Sequence, residues 1–60
     1  MKFVIRLHHE FFGIVFIASN EHFTTNKTDA KVYASYMQAD RDCSHYSFKF
    51  AASTFVQALN

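Results

Sequence analysis

The sequence predicts an α+β fold, a small antiparallel three-stranded sheet packed by one helix in the order ββαβ. Three observations carry the prediction. Residues 2–8 alternate apolar and polar side chains. An uncharged run follows at Phe11-Phe12-Gly13-Ile14-Val15-Phe16-Ile17-Ala18. From Val32 onward, apolar residues recur at spacings of three and four.

The first strand spans 2–8. Phe3, Ile5 and Leu7 fall on one face, with Lys2, Arg6, His8 and Val4 on the other, which is the period-two pattern of a half-buried strand. His9-Glu10 separate it from the central run, read as a second strand over 11–19 paired antiparallel with the first. Phe12, Ile14, Phe16 and Ala18 line one of its faces and Phe11, Val15 and Ile17 the other. With both faces apolar, this strand is expected to be central or covered on both sides. Gly13 marks a bulge or a close backbone approach.

The polar stretch Asn20 to Lys27 reads as a loop, rich in side chains that hydrogen-bond locally in turns. Thr28 as N-cap and Asp29 beside the positive end of the dipole then predict a helix over 29–42. Its apolar stripe holds Val32, Tyr33, Tyr36 and Met37. A competing reading starts the helix at Ser35, where Ser35-x-x-Gln38 forms a capping box, and makes Ala30–Tyr33 a short strand. Tyr46, Phe48 and Phe50 alternate with Ser47 and Lys49, the pattern of a third strand. For 51–60, a short C-terminal helix with Phe55, Val56 and Leu59 on one side is preferred over continuation of that strand.

Sixty residues make one small domain, 1–60, whose core seldom yields more than roughly 3–5 kcal/mol of stability. Cys43 is the only cysteine, so an internal disulfide and a cysteine-rich zinc module are excluded and a reducing, cytoplasmic setting is expected. Support must come from the eight Phe and three Tyr, each able to bury about 150–250 Å², or from self-association. No stretch approaches the roughly 20 apolar residues of a membrane-spanning helix. A formal charge of +1 gives no strong steering toward nucleic acid or anionic lipid.

The residues with catalytic or metal-binding chemistry do not form a motif. His8 and His9 are neighbours on a strand and point to opposite faces. Cys43-x-His45 offers two ligands at a helix end without the spacing of any zinc module. Cys43, His45 and Asp42 adjoin in sequence, which seldom brings a nucleophile, base and orienting acid into line. No cofactor, metal or enzymatic activity is therefore expected.

Two kinds of binding remain. The aromatic alternation at Tyr46, Phe48 and Phe50 suits base stacking, yet Lys2, Arg6, Lys27, Lys31, Arg41 and Lys49 are scattered rather than striped. Single-stranded nucleic-acid binding is accordingly the alternative. The preferred reading is a protein-binding module, because one helix covers only one face of a run that is apolar on two. A homodimer or a separate protein partner would meet the excess. An exposed sheet edge with Phe23, Tyr46 and Phe48 as anchors, and Arg6 and Lys49 as polar rim, is the expected contact.

The opening strand Lys2-Phe3-Val4-Ile5, the strand that follows, and Thr28-Asp29-Ala30-Lys31-Val32-Tyr33 leading into an Ala-containing helix resemble the short accessory proteins encoded in early regions of tailed phages and prophages. The resemblance spans about residues 2–43 and is one of pattern. It implies stoichiometric binding to one host protein, such as a nuclease or polymerase subunit, with a change in that protein's activity.

Overall fold

The computed structural model describes residues 1–59. Strand β1 covers Lys2–His9, β2 Gly13–Ile17, β3 Phe23–Thr24 and β4 Ser53–Leu59, with one α-helix, α1, at Tyr36–Phe50. The chain is α+β, and its antiparallel sheet has four strands in the order β3-β2-β1-β4. Two of the three expected strands, β1 and β2, are present; the third, at 46–50, is helix. The sheet is completed by an edge strand at each side, β3 within the predicted loop and β4 where a terminal helix was expected. No helix among the described residues is long and apolar enough to cross a membrane.

β1 follows its alternation. Ile5 and Leu7 are fully buried and face the helix, beside Val15 and Ile17 of β2. The predicted second strand is shorter than expected, because residues 10–12 form the turn. His9 holds that turn, its Nδ1 accepting the backbone N–H of Phe11 at 3.0 Å and of Phe12 at 3.2 Å. Gly13 leaves the turn at φ 74°, a left-handed conformation that only glycine adopts without steric cost.

The helix predicted over 29–42 begins later. Asn26 caps a single 3-10 turn, Lys27–Asp29, its side chain accepting from Thr28 N at 3.1 Å. Ala30 to Tyr33 is extended because the sheet claims its backbone. β2 ends early against β1, and this segment fills the gap. Lys31 N donates to Ile17 O at 2.8 Å, while Phe3 and Tyr33 exchange both backbone hydrogen bonds at 2.8 and 2.7 Å. A second start signal then acts: Ser35 Oγ accepts from Gln38 N at 3.4 Å and α1 begins at Tyr36. The fold adopts the helix start of the competing Ser35 reading, while Ala30 and Tyr33 form isolated bridges to Ala18 and Phe3 rather than the short strand that reading expected.

The strand expected at Tyr46, Phe48 and Phe50 is helix instead. Ala39, Cys43, Tyr46 and Phe50 recur at intervals of four, three and four and pack onto the sheet, so a helical stripe satisfies more burial than a strand would. The alternating Phe48 consequently faces water, 90% exposed. α1 ends at Ala51 in a left-handed conformation, φ 50° and ψ 47°, with Ala52 N donating to Ser47 O at 3.2 Å. The chain reverses there and β4 returns along β1, Lys2 opposite Leu59 and His8 opposite Ser53. The helix preferred for 51–60 is therefore a strand over 53–59; Asn60, the last position of that stretch, lies outside the described residues.

Candidate protein-binding face

The register sorts every strand side chain onto one of two faces, because residues directly opposite in antiparallel strands share a face. The helix face takes Phe3, Ile5 and Leu7 of β1, Val15 and Ile17 of β2, Phe23 of β3, and Thr54 and Val56 of β4. No helix covers the other face. Its middle row is Thr24, Phe16, Arg6 and Phe55, one residue from each strand. The next row holds Ile14, His8 and Ser53; beyond the middle row on the other side come Val4 opposite Gln57, then Lys2 opposite Leu59.

This open face mixes apolar and polar side chains, with the Arg6 cation in its middle row between two phenylalanines. Ile14 is 54% and Phe55 45% exposed, Phe16 and Leu59 are half-buried, and Val4 is fully covered. The Arg6 stem lies between the two phenylalanines across the strands, and its guanidinium carbon sits 5.4 Å from the Phe55 ring centre, within cation–π range. Its Nη1 reaches Gln57 Oε1 only at 3.5 Å, and its Nε is buried with no hydrogen-bond partner. Among the described residues no carboxylate lies within 4.0 Å of it, and no acid occupies a strand position of this face. The His8 ring packs 5.1 Å from Phe55. Met1 and Val32 extend the apolar surface past Lys2 and Leu59.

The five residues singled out from sequence are not brought together. Arg6 is on the open face. Phe23 is half-buried on the helix face, its ring 4.9 Å from His9, 5.8 Å from Phe12 and 6.0 Å from Phe50. Tyr46 is 3% exposed inside the core. Phe48 and Lys49 are exposed on the outside of α1, with Lys49 Nζ 5.6 Å above the Phe50 ring. Phe16, Ile14 and Phe55 were missed as site residues, although the register that aligns them with Arg6 was half legible: the alternation in β1 already put Arg6 on the polar side.

The reactive side chains are engaged in the fold. Cys43 Sγ donates to Thr54 Oγ1 at 3.0 Å, and Thr54 Oγ1 donates to the Cys43 carbonyl at 2.9 Å, which ties α1 to β4. Tyr33 Oη donates to Asp42 Oδ2 at 2.7 Å, and Lys31 Nζ approaches the same carboxylate at 4.0 Å. Burial, then the hydrogen bond to Asp42, raise the Tyr33 phenol above its ordinary value of 10.0. Burial raises Tyr46 likewise. Among the described residues, no three His, Cys, Asp or Glu side chains converge as a metal site would require.

No protein-family model matches this chain. Neither a curated protein nor a solved structure matches it significantly. The open face is thus read from its own chemistry.

Proposed function

We propose that the protein is a non-enzymatic binding module whose open sheet face docks one other protein. The partner segment lays apolar side chains on Ile14 and Phe16 and brings a carboxylate to the Arg6 guanidinium. The observation that carries this is Arg6 itself, a cation seated among exposed apolar groups with its Nε buried and unpaired. A docked carboxylate would pair with the terminal amines of the guanidinium, which no acid meets within 4.0 Å among the described residues, in a charge-assisted hydrogen bond. Binding is stoichiometric, as the likeness to phage accessory proteins also suggests, with the partner's activity altered by occlusion.

The test uses Ile14→Ser and Arg6→Met chains beside the parent as bait for proteins from a cell extract, with retained proteins identified by mass spectrometry. A partner held by the parent should be lost with Ile14→Ser, since truncating a central anchor costs about 2 kcal/mol or more. Arg6→Met should weaken it at least tenfold, by about 1.4 kcal/mol. A partner that both variants hold as tightly as the parent sinks the proposal.

A second reading has one observation in its favour. Phe16, Arg6 and Phe55 stand side by side across three strands, an aromatic-cation-aromatic row of the kind that stacks single-stranded bases. The aromatics concerned are on β2 and β4, whereas Tyr46, Phe48 and Phe50 lie on α1. A salt titration separates the two: affinity for an oligonucleotide falls steeply with salt through released counterions, while an apolar contact changes little.

A further inference from the structure

β4 is an edge of the sheet, next to β1 alone. Phe3 and Tyr33 exchange both their hydrogen bonds, so the N–H and C=O of odd-numbered β1 residues point away from β4. Antiparallel ladders alternate strictly, so the even-numbered residues Lys2, Val4, Arg6 and His8 bond to Leu59, Gln57, Phe55 and Ser53 opposite them. The backbone groups of Thr54, Val56 and Ala58 therefore point outward, and no strand pairs with them among the described residues.

Edges of this kind are normally blunted by lysine, proline, a bulge or a covering segment. Ser53-Thr54-Phe55-Val56-Gln57-Ala58-Leu59 has no charge and no proline, and its pairing with β1 runs without a bulge. We propose that β4 pairs antiparallel with β4 of a second copy, giving a dimer with one continuous eight-stranded sheet. This inference goes beyond the open-face reading and does not depend on it.

Symmetry narrows the register. A two-fold axis perpendicular to the sheet keeps each residue on its own face, so only residues of like parity can stand opposite each other. The axis must then pass through a residue, and Val56 is the middle of the seven-residue strand. That register sets Val56 against its own copy, Thr54 against Ala58, Phe55 against Gln57 and Ser53 against Leu59. Every outward backbone group gains a partner. β4 itself carries no charge for the dyad to double. The two Phe55 rings become diagonal neighbours on the open face, a spacing that aromatic side chains span. Packing open face on open face, by contrast, would set the Lys2 and Arg6 cations of two copies together.

The helices fit the same arrangement. α1 lies over β4 and β1. With strands about 4.8 Å apart, two dyad-related helices so placed stand about 10 Å apart, the ordinary packing distance of helices. The flank of α1 above the β4 edge holds Asp40, Ser44, Ser47 and the exposed Phe48; the three shorter side chains leave room for a second helix, and Phe48 would be covered by it.

The experiment is sedimentation of the full chain from low to high micromolar concentration, with amide hydrogen exchange at both ends of the range. A dimer should form as concentration rises. Exchange at Thr54, Val56 and Ala58 should slow about tenfold or more, while Phe55 and Gln57, already bonded to β1, change little. Ala58→Pro removes one outward N–H where an edge strand tolerates proline; it should keep the parent's circular dichroism and remain monomeric. A parent that stays monomeric at high concentration overturns the proposal. So does a dimer whose exchange at these three amides is independent of concentration, or one that a folded Ala58→Pro chain still forms.

Discussion

Replacing Arg6 with methionine should stabilise the isolated protein while weakening its partner binding. The guanidinium Nε is buried without a hydrogen bond, a penalty of about 1–3 kcal/mol. Two favourable contacts oppose it. The cation–π approach to Phe55 at 5.4 Å contributes about 0.5–1 kcal/mol. The 3.5 Å contact with Gln57 lies beyond the usual hydrogen-bond range and adds little. Methionine keeps an unbranched apolar stem between Phe16 and Phe55, so the packing of the arginine methylenes is largely retained. The balance favours methionine by about 1 kcal/mol, or about 4–8 °C in Tm for a chain of this size. Urea denaturation followed by circular dichroism, with a thermal scan alongside, reads both quantities. A loss of 1 kcal/mol or more would refute the reasoning, since it would mean that Arg6 is satisfied in the free protein and holds the sheet together rather than waiting for a partner. Unchanged m-values are required for the comparison, because a shift in slope would signal a change in the denatured state.

Leu7→Ala removes a fully buried side chain from the centre of the core and should cost about 2–5 kcal/mol, enough to leave most of the chain unfolded at 25 °C by circular dichroism. Ala51→Gly should raise stability by about 0.5–1 kcal/mol in urea denaturation, because φ is 50° there and glycine adopts that conformation without the Cβ penalty, less its own entropy loss. Tyr33 has a folded-state pKa above its unfolded value of 10.0, so its stabilising contribution is complete below pH 10 and is lost as pH rises further. Urea midpoints should therefore fall with pH above 10, and Tyr33→Phe should flatten that fall; a decline just as steep in the variant would place the alkaline lability elsewhere.

The alternation in residues 2–8 was sufficient to define the two faces of β1 and its span to within one residue, His9 being added at its end, because a strand with three apolar residues on one side buries them in only one way. The Ser35-Gln38 box was equally legible as a helix start. Thr28-Asp29 is as good a start signal by itself, because local signals alone do not rank two caps. The ranking came from β1, whose Phe3 backbone needed a partner that β2 was too short to supply. Tyr46, Phe48 and Phe50 misled for a related reason. Their spacing of two fits a strand, but Tyr46 and Phe50 also continue the stripe begun by Ala39 and Cys43, and the second pattern is visible only when the helix is allowed to run past Cys43.

The candidate face was less legible than the fold. Arg6 was identifiable as the polar side of β1, but its neighbours Phe16 and Phe55 come from strands 10 and 49 residues further along, as the registers Arg6 to Phe16 and Arg6 to Phe55 give. No periodicity within one segment reports such a row. Composition did show that the apolar surface exceeds what one helix shelters, and Phe11, Phe12 and Ile14 do remain exposed, at 82%, 62% and 54%.

By itself, then, the sequence determined the class of fold, the first strand with its two faces, and the surplus of apolar surface, since these follow from short-range alternation and from composition. The tertiary structure alone decided where the helix begins and ends, that residues 53–59 are a strand, and which side chains share the open face. Those outcomes depend on hydrogen-bond partners and burial supplied by segments far apart in the chain, and a backbone group takes its conformation from whichever partner is within reach.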